Sequence, residues 1–477
     1  MKAAKSESNW IYSDFKWVSE KKARLASKSR ERLLRSLSGG VRYSFLQNKL
    51  HIGKLSPGCL ICGRGYWSCM FINRLCTANC FYCPRDRRKE QPPRAEKIIF
   101  DRPKDYVAYL EKFNFKGVGF SGGEGLLVFE KLLTYVNAIR DKFKNNIYIW
   151  IYTNGDLVNK DKLRELKKSG LDEIRFDISA RGYSLDRVAE AVGIIKTVTV
   201  EIPCIPEDYE ILKKCLMQMK KIGVSHLNIH QLYTTKYNYR NLIKRNYTFL
   251  RQELIPVLES EMSALKLVRD ALNSRVNLPI NYCSAAYKVR LQSKGRRHRF
   301  GPFVKDEFED LTDSGYIRSI LIKGPIEKIK RIIKILRINN HREGYLSVKD
   351  NQILLSAKLL KYINLDDFDL NIEYFQPRIG ESINAREKGK GITLSSRKKI
   401  LIIKKPIFRW EGFSSAAKKI FQKLSAGNIR LENIPKCLFR NYNLDRKESI
   451  KGMRREIESL MTIEKLEHLE KGFPEIY

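Results

Sequence analysis

The sequence predicts an α/β fold with a parallel sheet at its centre for residues 51–300, and two observations predict it. Six short β-branched or apolar runs, at 118–121, 147–152, 173–178, 197–202, 226–232 and 276–282, each follow a stretch with helical periodicity. Parallel neighbours need a crossover between them, so strands that alternate with amphipathic helices read as one parallel sheet covered by helices. The second observation is that polar and glycine residues stand at the ends of these runs: Gly122-Gly123-Glu124, Thr153-Asn154-Gly155, Asp177 with Ser179, and Asn228. In β/α barrels ligands gather at the C-terminal ends of strands, so these positions are expected to face one mouth.

Taken in order, residues 1–50 are basic and helix-prone, with Lys21, Lys22, Arg24, Lys28, Arg30, Arg32 and Arg35 among few apolar anchors, and read as a helical extension rather than core. Residues 51–300 hold the core and an upstream cysteine-rich segment. Within it, a helix over 159–168 begins at Asn159, carries Leu163 and Leu166 on its apolar face and stops at Ser169-Gly170. Past 282 the chain turns basic, with Lys288, Arg290, Lys294, Arg296, Arg297 and Arg299 before Asp306. Such a run reads as a solvated face or loop, with an anion-binding role as the alternative. Residues 301–388 form a small α+β region with a helix at 325–336 and a strand at 371–375, and 389–391 reads as a linker. The last segment, 389–477, has strands at 399–404 and 408–411 and then Ala417, Ile420, Phe421 and Leu424 at helical spacing. Helices at 431–438 and 445–460 follow, the second opened by Asp445 with Glu448 three residues on, a capping-box spacing. Three helices after short strands outline a winged helix.

Composition bounds the function. The 477 residues carry 91 Lys+Arg against 53 Asp+Glu, a net charge of +38, yet 43% are hydrophobic, enough for a substantial core. Attraction to polyanions such as RNA is one reading of this charge, and compositional bias is the other. No run of about 18 apolar residues exists and no apolar signal core stands at the N-terminus, so no membrane partner is expected and the protein reads as cytoplasmic.

Six of the ten cysteines, Cys59, Cys62, Cys69, Cys76, Cys80 and Cys83, fall within residues 59–83. In a reducing compartment such a cluster means metal or iron–sulfur ligation rather than disulfides. Cys76-Thr-Ala-Asn-Cys80-Phe-Tyr-Cys83 offers three thiolates in one loop. A [4Fe–4S] cluster held by three cysteines keeps one iron open to an exchangeable ligand. A structural zinc loop normally pairs two knuckles, and only Cys59/Cys62 is available nearby.

With an aromatic residue before its third cysteine, this loop resembles that of the radical S-adenosylmethionine (SAM) superfamily, and Gly122-Gly123-Glu124 resembles that family's Gly-Gly-Glu motif. The resemblance runs from about residue 71 to 284 and implies a partial (β/α)6 TIM-like barrel. It also implies a [4Fe–4S] cluster on Cys76, Cys80 and Cys83, with SAM held by Tyr82, Gly122, Gly123, Glu124, Asn154, Asp177 and Ser179. The glycines would let backbone approach the methionine end of SAM, and Glu124 would accept from its ammonium group. The implied activity is that of an oxidoreductase: an external electron donor such as flavodoxin or ferredoxin reduces the cluster, SAM is cleaved, and a 5′-deoxyadenosyl radical takes a hydrogen atom from a substrate.

Cys59, Cys62 and Cys69, with Cys283 as fourth ligand, invite a second iron–sulfur cluster or a zinc, or are buried thiols. A Cys-x2-Cys ahead of the core motif and a late Tyr282-Cys283-Ser284 resemble radical SAM proteins related to pyruvate formate-lyase activating enzyme. Cys204, Cys215 and Cys437 are dispersed and read as packing residues. His226 and His230 lie in a strand-like run, which disfavours a metal pair and sets them along the barrel interior or its mouth. The 389–477 segment resembles the PqqD-like peptide-recognition domain, which adds an extended leader peptide to its strand edge. A peptide or protein substrate is thus expected. The alternatives are a radical SAM enzyme acting on RNA and a nucleic-acid-binding iron–sulfur protein without radical chemistry.

Overall fold

The computed structural model describes residues 12–85, 90–339, 341–427 and 447–476. The chain folds as two compact units, one formed by residues 1–293 with 471–477 and the other by Lys294–Glu470.

The first unit is built on a sheet of eleven strands: β1 (Arg42–Ser44), β2 (Lys49–Ile52), β3 (Trp67–Asn73), β4 (Arg94–Ala95), β5 (Ile98–Ile99), β6 (Gly117–Gly122), β7 (Tyr148–Thr153), β8 (Glu173–Phe176), β9 (Thr197–Pro203), β10 (His226–His230) and β11 (Ile280–Cys283). Their order is β1-β2-β11-β10-β9-β8-β7-β6-β3-β4-β5. From β3 through β11 every neighbouring pair in this order is parallel, and β2 and β4 add antiparallel flanks. Helices Phe129–Phe143, Tyr209–Ile222 and Leu258–Asn273 turn apolar stripes such as Leu132, Val136 and Ile139 inward. The six expected strands all form. β3 was not among them, because its residues lie in the cysteine-rich stretch and read as metal-binding loop.

Residues 12–52 are no mere extension. The Glu20–Ser36 helix buries Ala23 and Leu33, and its Arg30 pairs with Glu261 of the Leu258–Asn273 helix at 2.8 Å. β1 and β2 extend the sheet beyond β11, and Leu50 is fully buried. The helical part of the expectation stands, but the basic residues had masked the apolar face that docks it.

The second unit is α+β. Strands β12 (Asp310–Leu311), β13 (Ile317–Lys323), β14 (Tyr345–Lys349), β15 (Gln352–Leu355), β16 (Asp369–Gly380), β17 (Lys388–Ser395) and β18 (Lys398–Trp410) form one antiparallel sheet in the order β14-β15-β13-β16-β18-β17, with β12 on β13. Helices Ile326–Ile338, Ser415–Ser425 and Lys447–Glu467 share a core with it that joins Ile320, Ile372, Trp410, Phe421 and Leu460. An ion cluster is buried there: Arg318 reaches Glu467 at 2.5 Å and Asp310 at 2.9 Å.

Two expectations are corrected. The boundary and linker at 389 fall inside β17, which pairs with β18 while β18 pairs with β16, so backbone hydrogen bonds run straight through the glycines. The expected 301–388 and 389–477 regions therefore share one sheet and one core. The basic run from Lys288 to Arg299 is helical rather than loop, and Arg297 is buried, stacked 4.1 Å over Tyr316 and donating to the Ser314 carbonyl. The helix expected at 431–438, the capping residue Asp445 and Cys437 lie outside the described residues.

Candidate active site

The ends of the parallel strands surround one cavity of about 260 Å³, lined by Cys76, Cys80 and Cys83 from the loop after β3, Gly122–Glu124 after β6, Asn154 after β7, Asp177 after β8, and Glu201 and His230 of β9 and β10. That loop docks on three strand ends. Asn154 Nδ2 donates to Thr77 Oγ1 at 2.8 Å and approaches Cys76 Sγ at 3.8 Å. Tyr82 Oη lies 3.0 Å from Asp177 Oδ2 and 2.6 Å from Ser179 Oγ, while Asn238 Nδ2 donates to the Tyr82 carbonyl at 2.8 Å. The loop after β10 thus meets the loop after β3, and the parallel strands curl into an open barrel.

Sequence-expected positions converge here, with two roles redrawn. Gly122 has φ +123°, a region that favours glycine, and a Cβ on it would collide with the Asn73 carbonyl. A Cβ on Gly123 would collide with the Leu75 carbonyl, and Glu124 N donates to that same oxygen at 2.7 Å. The glycines therefore admit the cysteine loop itself. Glu124 is 1% exposed. Its carboxylate accepts from Leu126 N (3.0 Å), Asn154 N (2.8 Å) and Thr153 Oγ1 (3.0 Å to each oxygen), so its acceptors are engaged by protein donors and it fastens β6 to β7. Burial raises the Asp177 carboxyl to about 6 against the hydrogen bonds from Ser179 and Tyr82.

Beneath the mouth lies a charge network that the sequence reading missed. Arg175, 4% exposed, pairs with Glu173 at 3.0 Å and Glu201 at 2.8 Å, and its guanidinium lies 4.8 Å from the Trp150 ring. Glu201 also accepts from Asn228 Nδ2 (2.8 Å) and contacts His230 Nε2 (2.9 Å). Burial alone would raise the Glu201 carboxyl, yet Arg175 and His230 hold it well below the ordinary range. Burial, reinforced by Lys288, lowers His230 to about 4, so it is neutral near pH 7. The available signal was Glu173-x-Arg175 in an otherwise apolar strand, two charges on one face that must find partners when buried.

The upstream cysteines divide. Cys59 and Cys62, on the Pro57–Gly63 helix, and Cys283 at the end of β11 share a buried neighbourhood in which each sulfur meets an N–H donor. Asn281 Nδ2 approaches Cys59 at 3.5 Å, Gln292 Nε2 approaches Cys62 at 3.2 Å, and Lys49 Nζ approaches Cys283 at 2.9 Å. Burial pushes the Cys59 thiol up to about 11. Cys69 stands in β3, its thiol pushed by burial up to about 12, and has none of these donors. Cys204 and Cys215 are buried, as packing residues should be. His230 lines the cavity and His226 lies at the opposite end of β10.

The donor set fits an iron–sulfur cofactor: three thiols of one loop line one cavity, none of the described cysteines forms a disulfide, and the loop's placement is fixed from outside the thiols. Among the described residues no three metal-ligating side chains stand in ligand geometry.

Residues 70–196 match the model of the radical SAM superfamily, and the protein is a radical SAM enzyme with an α/β radical SAM fold. Such a domain implies a [4Fe–4S] cluster and SAM. A Methanocaldococcus jannaschii protein named as a glycyl-radical enzyme activating enzyme is 28% identical over 324 residues, which is 65% of this chain and 84% of that protein. Among solved structures, Streptococcus suis SuiB bound to its precursor peptide SuiA aligns at 14% identity and a TM-score of 0.34, over 56% of this chain and 62% of that one. The radical SAM methyltransferase TsrM of Kitasatospora setae aligns at 13% identity and a TM-score of 0.28, over 37% and 39%. The chain thus spans less than two thirds of the length of either of these solved proteins. Among the described residues no helix is long and apolar enough to cross a membrane.

Proposed function

We propose that Cys76, Cys80 and Cys83 hold a [4Fe–4S] cluster, that SAM binds across Gly122, Gly123, Asn154, Asp177 and Ser179, and that the enzyme modifies a peptide or protein. The observation that carries this is the single cavity onto which all three cysteines and the β6, β7 and β8 ends open. When bound, the cluster and SAM supply one-electron reductive cleavage and hydrogen-atom abstraction. The chain's own residues position and seclude. Tyr82 ties the loop to Asp177 and Ser179, Glu124 sets the β7 turn that presents Asn154, and the Asp177 carboxylate offers negative charge to a cationic ligand. The ion network of Arg175, Glu173 and Glu201 closes the floor of the cavity without leaving a charge unpaired.

The relative's name supports a protein as substrate, and a flavodoxin- or ferredoxin-type donor in the cytoplasm would supply electrons. In the 294–470 unit, the outer edge of β17 supports peptide capture by strand addition. Lys388 and Lys390 on the same strand favour RNA as the second reading. Cys59, Cys62 and Cys283, each with an N–H donor at sulfur, are the proposed second iron–sulfur or zinc site. The test is anaerobic reconstitution, reduction of the cluster with dithionite, and assay of 5′-deoxyadenosine. Wild type should release it from SAM, and Cys76→Ala, Cys80→Ala and Cys83→Ala should each release none while circular dichroism is unchanged. Cleavage by the triple variant would remove the assignment.

A further inference from the structure

The cavity is electrically two-sided. On the wall assigned to SAM stands the carboxylate of Asp177, suited to a ligand that carries an ammonium and a sulfonium. The β9–β11 wall also carries charge, but most of it is already neutralised: Glu201 is engaged by Arg175, Asn228 and His230, and Arg175 by Glu173 and Glu201. Gln231 is committed as well, accepting from Ala285 N at 3.0 Å. Lys288 is the exception. It stands one helical turn beyond β11, lines the cavity half-buried, and holds its Nζ 4.5 Å from the centre of the Tyr233 ring, which lines the cavity too. It makes no ion pair with any described residue. A cation over an aromatic face retains three N–H donors that want acceptors, and a partly desolvated ammonium beside neutral His230 attracts an anion.

Resting on the reading of this cavity as the SAM and substrate site, we infer that Lys288 is a specificity residue that receives a carboxylate of the peptide substrate, from an acidic side chain or a chain terminus. Tyr233 forms the apolar shelf beneath that contact, and the pairing of Glu201 with Arg175 keeps a competing carboxylate away from the ammonium. Substrate carboxylate and SAM would thus occupy opposite walls, with the reacting carbon between them.

The test uses the full-length protein, reconstituted anaerobically and given SAM, with three blocked tripeptide probes followed by ligand-observed NMR. These are acetyl-Ala-Glu-Ala-amide, acetyl-Ala-Gln-Ala-amide and acetyl-Ala-Gln-Ala with a C-terminal carboxylate; a fourth probe carries phosphoserine at the centre. At least one carboxylate probe should bind about tenfold more tightly than the neutral one, the scale of a charge-assisted hydrogen bond. The comparison of side-chain and terminal carboxylates names the source. Lys288→Met should abolish the preference and Lys288→Arg should keep it, with SAM affinity by equilibrium dialysis equal in all three proteins. Equal binding of neutral and carboxylate probes to wild type overturns the proposal. So does loss of SAM affinity in Lys288→Met, which would give the ammonium to the SAM carboxylate, and so does a phosphoserine probe that outcompetes both carboxylates. A wild-type protein that binds no SAM would instead fail the cofactor reading, and the proposal with it.

Discussion

Removing the Glu124 carboxylate separates two roles for this residue, one toward the cofactor and one toward the protein. Glu124→Ala strips acceptors from Leu126 N, Asn154 N and Thr153 Oγ1 in a site that is 1% exposed. A buried donor left unpaired costs about 1–3 kcal/mol, so three cost at least about 3 kcal/mol unless water enters. Glu124→Gln retains one carbonyl oxygen but turns an amide N–H₂ toward a donor, for a loss of about 1–2 kcal/mol. At about 1.4 kcal/mol per decade, amide-exchange protection should fall roughly 10²-fold in Glu124→Ala and roughly tenfold in Glu124→Gln. Hydrogen exchange by mass spectrometry on the full chain reads this in peptides over 120–130 and 148–158, with those over 370–410 as internal reference. If Glu124→Ala leaves both segments protected yet lowers SAM affinity, the carboxylate serves the ligand and the structural argument is wrong.

Other outcomes follow from the same geometry. Protein lacking Cys76, Cys80 and Cys83 should retain stoichiometric metal by elemental analysis if Cys59, Cys62 and Cys283 ligate, about one zinc or the several irons of a cluster per chain, and a metal-free result would leave them as packing residues. The Asp177 carboxyl, raised from 3.8 to about 6, takes up a proton more readily in the folded than in the unfolded chain. Its contribution is therefore complete below about pH 4 and lost as pH rises through about 6, at most about 3 kcal/mol and less after screening at a half-buried position. Asp177→Asn should then melt higher than wild type at pH 7 and level with it at pH 4, and a difference that grows toward low pH would contradict the sign. SAM affinity of wild type should strengthen from pH 5 to 7 as that carboxylate ionises, and that rise should vanish in Asp177→Asn. A fragment beginning at residue 390 loses β16, and with it the partner of β18, so Ile402 and Trp410 lose their cover and its NMR spectrum should lack dispersion. A well-dispersed spectrum would restore a boundary near 389.

Motif and period carried the sequence reading a long way in the first unit. The six expected strands formed because parallel strands buried on both faces read as near-continuous apolar runs, and the helix at 159–168 formed where Asn159 caps Lys162 N at 2.9 Å. The expected cavity residues converge because strand ends do so by topology. What failed depended on partners distant in sequence. Lys49 and Cys283, or Arg30 and Glu261, acquire meaning only once the fold brings them together. Glu124 reads as a ligand in a three-residue motif, and only the backbone donors of Leu126 and Asn154 reveal the clasp. Gly389 and Gly391 read as a linker because glycine weakens an isolated strand, while pairing with β18 overrides that preference.

The path of the chain has a further consequence. It leaves the first unit near residue 294 and re-enters it at 471, where Gly472 N bonds the Leu46 carbonyl, Arg290 bonds the Gly472 carbonyl at 2.7 Å, and Arg30 bonds the Pro474 carbonyl at 2.9 Å. During synthesis residues 12–293 of the first unit emerge from the ribosome before residues 471–474 exist. Arg30 and Arg290 must therefore wait, with carbonyl partners still missing, until the second unit has been translated in full. Completion of these contacts is in this way timed by translation of residues 471–474, and in sequence the second unit is an insertion within the first.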